Sequence, residues 1–156
     1  MNLIIILIAQ YLFWVSIAIF VLYLGYLWKN KTAKLFSLVT LTVISFPLTY
    51  IIAKISGYFI NDPRPFVVEH IKPLIPHAAD NGFPSDHMLL TMALASVVFV
   101  YNRKLGITLT IVALCVGTAR ILAHIHHVED ILGSAVIAIC ATFAVYATSK
   151  SQKMAR

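Results

Sequence analysis

The sequence predicts an all-α membrane protein, a polytopic helical bundle with about five transmembrane helices. First, 60% of the 156 residues are hydrophobic and only 12% are charged, whereas soluble domains are about half apolar and about a quarter charged. Second, the apolar residues form long blocks rather than periodic stripes. A chain of this length could not hide so much apolar surface from water. The sequence therefore indicates that its solvent is lipid.

Each predicted span is an apolar block close to the roughly 20 residues that a helix needs to cross a bilayer core about 30 Å thick. Backbone groups in lipid must be hydrogen-bonded within the segment, which favours helices for blocks of this length. The third block is short and must include the polar residues before it in order to cross. The five blocks, which we treat as one domain over residues 1–156, are Leu3–Trp28, Leu35–Ile60, Met88–Tyr101, Leu105–Leu122 and Ile131–Ala147.

Charge assigns the loops to two sides of the membrane. With five spans, eight of the 12 basic residues fall on one side, at 29–34, 103–104 and 150–156, and the positive-inside rule makes that side cytoplasmic. All six acidic residues lie on the other side, in the segments 61–86 and 120–130. This predicts an external N-terminus and an active site at the outer membrane–water boundary. The formal net charge of +6 does not indicate nucleic acid binding, because no single basic face is present.

Three clusters of polar residues lie at the predicted outer ends of the spans, where they can converge at one membrane–water boundary. Charged groups at membrane depth are costly and usually mark function. The clusters are Asp62-Pro63-Arg64-Pro65-Phe66, Phe83-Pro84-Ser85-Asp86-His87, and Arg120 with His126 and Asp130.

His126 and Asp130 are four residues apart, so they share one helical face if the last span begins near His126. The carboxylate can then fix the imidazole tautomer and leave the other ring nitrogen as a nucleophile. Alternatively, Asp130 is only an acidic residue placed at a helix N-terminus for electrostatic reasons. His87 could be a general acid for the leaving group or an inert interfacial histidine.

The remaining candidates suit an anionic ligand. The guanidinium groups of Arg64 and Arg120 match phosphate oxygens, although an interfacial arginine can also reach toward headgroups. Ser85 could donate to a phosphate or cap the helix that follows, and Lys54 could reach a phosphate or the membrane surface. Together these residues supply charge neutralisation, positioning and a nucleophile for phosphoryl transfer without a metal or other cofactor. A metal site is disfavoured because His124, His126 and His127 cannot all face one way on a helix.

These residues resemble the signature of the type-2 phosphatidic acid phosphatase superfamily: Lys-x6-Arg-Pro, Pro-Ser-Gly-His and Ser-Arg-x5-His-x3-Asp. The resemblance covers about 70 residues, from Lys54 to Asp130. It implies that His126 attacks phosphorus and forms a phosphohistidine, that Asp130 orients it and that His87 protonates the leaving group. The residues that would hold the phosphate oxygens are Arg64, Ser85 and Arg120.

This chain departs from the signature at three positions. Asp86 replaces the glycine of the second motif, and Ala119 replaces the serine of the third. The position that carries the lysine of the first motif is Gly57, and Lys54, one helical turn earlier, could substitute for it. Asp86 could either repel a phosphate or contact a second group of the substrate.

Within the superfamily, Arg64-Pro65-Phe66 and the stretch from Ile75 to His87 resemble bacterial undecaprenyl-diphosphate phosphatases. The resemblance implies a polyprenyl diphosphate lipid substrate that is cut to undecaprenyl phosphate at the outer leaflet of the bacterial cell membrane. It also implies recycling of the carrier lipid of cell-wall synthesis and a link to bacitracin resistance. The second phosphate could contact His70, Lys72 and His77.

Two alternatives differ from this interpretation. The same residues could serve a phosphatase of phosphatidylglycerophosphate, phosphatidic acid or another lipid phosphate. A small transporter or channel is disfavoured, because its polar residues would run through the middle of several spans, whereas here they stop near the outer ends. The family usually has six spans, so we expect that an N-terminal helix is missing from this chain. The sequence does not indicate an oligomeric state.

Overall fold

The computed structural model describes the backbone of residues 2–154 and the side chains up to residue 151. Arg156, one of the predicted cytoplasmic basic residues, lies outside the described residues, and so does the side chain of Lys153. Every regular element in the described part is a helix, which confirms the all-α class. The helices are α1 (Asn2–Lys29), α2 (Lys34–Phe59), α3 (Pro65–Val68), α4 (Asp86–Tyr101), α5 (Arg103–Leu122) and α6 (Val128–Met154).

Four of these helices, α1, α2, α5 and α6, are long and apolar enough to cross a membrane. The fifth predicted span, α4, is a shorter apolar helix of 16 residues. It is about 24 Å long at 1.5 Å per residue, about 6 Å less than the hydrocarbon core. As predicted, it begins in the polar residues before the apolar block, at Asp86.

The short α4 is the central helix of the bundle. Ten of its residues are buried, and it packs against α1, α2, α5 and α6. Its buried hydroxyl groups bond back to the helix itself: Thr91 Oγ1 donates to the carbonyl of His87 at 2.8 Å, and Ser96 Oγ donates to that of Met92 at 2.8 Å. Because these groups are satisfied locally, α4 can occupy an apolar core.

A single residue reverses the chain between α4 and α5. The N–H of Asn102 donates to the carbonyl of Val98 at 2.8 Å, which ends α4. The side-chain oxygen of Asn102 accepts from the N–H of Leu105 at 3.2 Å, which caps the start of α5. The two helices therefore run back antiparallel in close contact, and α5 ends beside the start of α4.

The long loop between α2 and α4 is attached to the segment that joins α5 to α6. The N–H of Phe66 donates to the carbonyl of His124, and the N–H of Leu74 donates to that of Ala123, both at 3.2 Å. Ile75 of the loop is buried in a small apolar cluster that includes Ala9 of α1 and Ile125. The loop is thus fixed over one end of the bundle.

Asn81 connects the loop to the end of α2. Its side-chain oxygen accepts from the N–H groups of Asp62 at 2.9 Å and Phe83 at 3.1 Å. Its side-chain nitrogen donates to the carbonyls of Gly57 and Ile60, both at 2.8 Å. All the hydrogen-bonding groups of one amide are used, so the chain on either side of Asn81 is held in one arrangement.

Candidate active site

A cavity of about 500 Å³ lies at the end of the bundle that carries the long loop. Two of the predicted site residues, Ser85 and Asp130, do not line it but are fully buried. Ser85 lies in the chain between the lining residues Pro84 and Asp86, and Asp130 contacts the lining residue His126. The predicted site residues that line the cavity are Lys54, Arg64, Asp86, His87, Arg120 and His126.

His126 and Asp130 form a buried pair, with 3.1 Å between Nδ1 of the imidazole and Oδ2 of the carboxylate. The condition for a shared helical face, that the last span begin near His126, is not met, since α6 begins at Val128 and His126 precedes it. The contact forms because Asp130 in the first turn of α6 also accepts from the N–H of His127 at 2.9 Å. The carboxylate that caps the helix therefore also orients the imidazole that precedes it.

The His126 ring is buried and lies close to two arginines. Burial lowers the pKa of His126 below its ordinary value, and the positive charges of Arg120 and Arg64 act in the same direction, against the effect of Asp130. The neutral ring that donates from Nδ1 to Asp130 has a lone pair on Nε2. That atom lies 3.4 Å from Nη1 of Arg64, from which its lone pair can accept a hydrogen bond.

Arg64 is buried and fixed by several partners. Its Nη1 donates to the carbonyl of Ile125 at 2.8 Å, and its Nε donates to Oδ1 of Asp80 at 2.7 Å. The hydrogen bond from Arg64 lowers the pKa of Asp80. Nothing in the sequence pattern singled out Asp80, since an exposed acid in a polar loop has no distinguishing feature until the loop is folded over Arg64.

Arg120 is buried in the last turn of α5. Its Nη1 donates to the carbonyl of Ala9 in α1 at 3.2 Å, and its Nη2 lies 3.4 Å from Nε2 of His77. Partial burial, Arg64 and Arg120 lower the pKa of His77, which favours the neutral ring as an acceptor. Nε of Arg120 is buried and has no hydrogen-bond partner among the described residues.

The start of α4 brings three predicted residues to the site. Ser85 is the N-cap residue, but its side chain makes no capping hydrogen bond, and its buried Oγ has no partner in the described part of the chain. Asp86 is exposed at the cavity wall. His87 is half-buried, and its ring packs edge-on against Phe13 of α1, with 4.5 Å between centroids and 74° between planes.

The three loop residues that could contact a second phosphate differ in whether they line the cavity. His77 lines the cavity, as expected for a residue that could reach a second phosphate. His70 and Lys72 are exposed and are not among the lining residues.

Gly57 explains the departure from the first family motif. A Cβ at this position would lie 2.9 Å from the carbonyl oxygen of Phe83 and 3.3 Å from Cδ of Pro84. Because α2 and the loop approach so closely, a side chain at position 57 would require one of them to shift. Lys54, one turn earlier, lines the cavity instead, with its Nζ 5.2 Å from the centroid of the Tyr50 ring.

Gly82 is equally constrained, beside the buried pair. A Cβ there would lie 2.9 Å from Oδ2 of Asp130 and 3.1 Å from the carbonyl oxygen of Asp62. The side chain of Asp62 also lies near Asp130: burial and then the charge of Asp130 raise the pKa of Asp62. The absence of a side chain at Gly82 thus allows the loop to close against the carboxylate.

Comparison with known proteins places this chain in a family. The model of the PAP2 superfamily matches residues 34–153. The Bacillus licheniformis protein named bacitracin transport permease protein BcrC is 30% identical over 123 residues, which are 78% of this chain and 61% of the relative. Undecaprenyl-diphosphatase BcrC of Bacillus subtilis is 45% identical over 82 residues, which are 53% of this chain and 42% of the relative. The chain thus spans less than two thirds of either relative.

Two crystal structures share the fold. LpxE of Aquifex aeolicus superimposes with a TM-score of 0.65 at 22% identity, over 92% of both chains. The PAP2-type phosphatidylglycerolphosphate phosphatase of Bacillus subtilis also gives a TM-score of 0.65, at 19% identity, over 96% of this chain and 77% of the other. The arrangement of apolar helices around the cavity is therefore that of a known membrane phosphatase fold. The chain is a multi-pass membrane protein that belongs to the PAP2 superfamily of lipid phosphatases.

Proposed function

We propose that the protein hydrolyses undecaprenyl diphosphate to undecaprenyl phosphate and inorganic phosphate through a phosphohistidine at His126. The observation that carries this proposal is the buried His126–Asp130 pair, whose imidazole lines a cavity with two buried arginines. A neutral imidazole beside two fixed cations can attack an anionic phosphorus centre, because the cations offset the charge repulsion.

The first step forms a nitrogen–phosphorus bond. Nε2 of His126 attacks the terminal phosphorus, and the bond from that phosphorus to the bridging oxygen breaks. His87 gives a proton to the departing oxygen of the lipid phosphate, while Asp130 stabilises the positive charge on the His126 ring. Arg64, Arg120 and the hydroxyl of Ser85 hold the oxygens of the phosphoryl group as it is transferred.

The second step consumes water. A water molecule attacks the phosphohistidine and gives a proton to the now neutral His87. The nitrogen–phosphorus bond breaks, and inorganic phosphate leaves. His126 and His87 return to their starting protonation states, so the reaction consumes one water for each diphosphate cleaved.

We base the diphosphate substrate on the polar groups around the cavity and on a relative. Lys54 and His77 line the same cavity as the two arginines and would contact the second phosphate or the bridging oxygen. Asp86 would select for the arrangement of the two phosphates. The relative named undecaprenyl-diphosphatase shares 45% identity over the matched segment. We accordingly assign the protein to recycling of the cell-wall carrier lipid and to bacitracin resistance.

We further propose that the protein lies in the bacterial cell membrane with the cavity facing outward. Lys29, Lys34, Arg103 and Lys150 lie at the ends of α1, α2, α5 and α6, which are the ends remote from the long loop. The positive-inside rule then places these residues in the cytoplasm and the cavity outside, at the leaflet where the spent carrier lipid would be found.

The test is phosphate release from undecaprenyl diphosphate by the purified full chain in detergent with EDTA. The comparison is between His126→Ala and His124→Asn, a matched variant of an exposed histidine two residues away whose positive φ of 59° asparagine tolerates. We expect His124→Asn to stay within about threefold of the parent and His126→Ala to lose about 1,000-fold or more. Labelled substrate should leave a phosphohistidine on the parent and none on His126→Ala.

Retained activity in His126→Ala would rule out the phosphohistidine. Faster release from phosphatidylglycerophosphate or phosphatidic acid in the same assay would assign the site to another lipid phosphate.

A further inference from the structure

The helix α1 contacts two residues of the site, although the family model begins only at residue 34 and therefore assigns nothing to it. Its residues Ala9 and Phe13 are four apart, so they lie on the same helical face. The main-chain carbonyl of Ala9 accepts a hydrogen bond from Arg120, and the ring of Phe13 packs against that of His87. One face of α1 thus contacts both an arginine of the cavity and the proposed leaving-group acid.

The contact between Phe13 and His87 determines how the imidazole is held. Among the described residues, the His87 ring has an aromatic edge against it rather than a side-chain hydrogen bond. A histidine that is not hydrogen-bonded is oriented only by packing, and its ring can otherwise rotate about χ2. An edge-to-face aromatic pair is a favoured geometry at this centroid distance of 4.5 Å, and it keeps one ring orientation.

The contact between Ala9 and Arg120 lies one turn earlier on the same face of α1. Nη1 of Arg120 donates to the main-chain carbonyl of Ala9 at 3.2 Å, and Ala9 is 0% exposed. A main-chain carbonyl inside a helix has one lone pair left for such a bond. The position of α1 therefore sets the position of the guanidinium as well as that of the His87 ring.

We propose that Phe13 is a positioning residue that holds the His87 imidazole toward the leaving oxygen, and that α1 through residues 9 and 13 is part of the active site. The proposal rests on the proposed function, in which His87 is the general acid. Phe13 does not touch the reacting atoms. It acts through His87, so its removal should slow only those reactions in which the leaving oxygen needs a proton.

The test compares leaving groups. Dodecyl phosphate expels an alkoxide that must be protonated, whereas p-nitrophenyl phosphate expels a phenolate that leaves without a proton. We expect Phe13→Ala to lower kcat on dodecyl phosphate about 10- to 100-fold, part of the usual contribution of a general acid. On p-nitrophenyl phosphate, the loss should be less than about threefold. Phe13→Tyr keeps the aromatic edge and should restore both activities to within about threefold of the parent.

The matched control is Tyr11→Ala, which removes an exposed aromatic ring from the same helix and should leave both activities unchanged. A merely structural role for Phe13 would lower both activities together, and thermal unfolding of each variant monitors the fold. In the double variant Phe13→Ala/His87→Ala, the rate should equal that of His87→Ala, since both changes remove the same proton transfer.

His87→Ala separates the two possible failures. If His87→Ala lowers both activities equally, His87 is not the general acid, and the proposed mechanism fails together with this inference. If His87→Ala is selective for dodecyl phosphate and Phe13→Ala is not, the mechanism stands and the positioning role of Phe13 is overturned. Additive losses in the double variant would also overturn it.

Discussion

The two sides of the cavity are held in different ways. On the side of His126, hydrogen bonds orient the imidazole and the guanidinium: Oδ2 of Asp130 bonds to His126, while Asp80 and the carbonyl of Ile125 hold Arg64. Oδ1 of Asp130 is the one atom of this group without a partner among the described residues. On the side of His87, the imidazole is held by packing against Phe13, and Oγ of Ser85 and Nε of Arg120 have no partner among the described residues.

This difference distinguishes the side chains that are oriented before a substrate binds from the polar atoms that would gain their partners from the substrate. A nucleophile is effective when its tautomer and orientation are fixed before the substrate arrives. A buried polar atom without a partner costs about 1–3 kcal/mol, so leaving Ser85 and Arg120 incomplete is unfavourable in the empty protein. We attribute this cost to phosphate binding, in which the substrate oxygens would supply the missing partners.

The largest effect should come from breaking the hydrogen-bonded side. Asp130→Asn removes the charge that stabilises the His126 imidazolium and allows the wrong tautomer, so we expect kcat to fall about 100- to 10,000-fold. The measurement is steady-state phosphate release, with Glu129→Gln, an exposed neighbour on the same helix turn, as the control. Equal activities of the two variants would remove Asp130 from the mechanism.

A smaller loss should follow from crowding the same side. The Cβ of Gly82→Ala would approach Oδ2 of Asp130 to 2.9 Å, which must shift either the loop or the carboxylate. We expect about a tenfold or greater loss of kcat and about 1–3 kcal/mol of destabilisation. Gly25→Ala is the control, since its Cβ would meet nothing within 4 Å, and it should match the parent in activity and thermal unfolding. An unchanged Gly82→Ala would show that the loop need not lie so close to Asp130.

On the packed side, a hydroxyl should matter for function more than for stability. Ser85→Ala removes an Oγ that has no partner in the described part of the protein, so the free energy of unfolding should be unchanged or slightly higher. Phosphate release should fall about tenfold, as expected for one lost hydrogen bond to a charged group. Ser134→Ala should do the reverse, because its Oγ bonds to the carbonyls of Asp130 at 2.6 Å and Ser85 at 3.1 Å. Loss of stability in Ser85→Ala would mean that its hydroxyl is a structural cap.

The smallest expected effect is a shift of the pH profile. The pKa of His126 is lowered by burial and by the two arginines, and only the neutral ring can attack. Activity should therefore persist below pH 6.5, the ordinary histidine value, and be lost as the pH falls through the lowered pKa. Asp130→Asn removes an influence that raises this pKa, so the acid limb of kcat/KM should move to still lower pH. An acid limb above the ordinary value would contradict the burial of a neutral His126.

Much of this comparison was predictable from the sequence. Five apolar blocks predicted the five longer helices, and the motifs together with the neighbouring Lys54 predicted eight candidate site residues, six of which line one cavity. The spacing is informative because charged and histidine side chains are rare at membrane depth and can meet only where spans end. The capping geometry of Asp130 was not predictable, since it depends on α6 beginning at Val128 rather than at His126.

The contribution of α1 was also beyond the sequence. Ala9 lies 111 residues from Arg120 in the chain, and neither Ala9 nor Phe13 has chemistry that distinguishes it from other apolar residues of a membrane helix. Their contacts with the site arise from the packing of α1 against α4 and α5. Likewise, the close approach of Gly57 to Phe83, which disfavours a side chain at position 57, is visible only when the loop is folded.

The shortness of α4 bears on how a lipid would reach His87 and His126. The central helix is about 6 Å shorter than the hydrocarbon thickness, and it begins at the cavity wall with Asp86. A shortfall at this end would lower the floor of the cavity to the level of the acyl chains of the surrounding leaflet. A lipid whose headgroup entered such a depression would keep its chain among its neighbours instead of being lifted into water. Lifting would cost about 0.8 kcal/mol for each methylene exposed. The depression would therefore bring water down to the headgroup and leave the tail in the membrane.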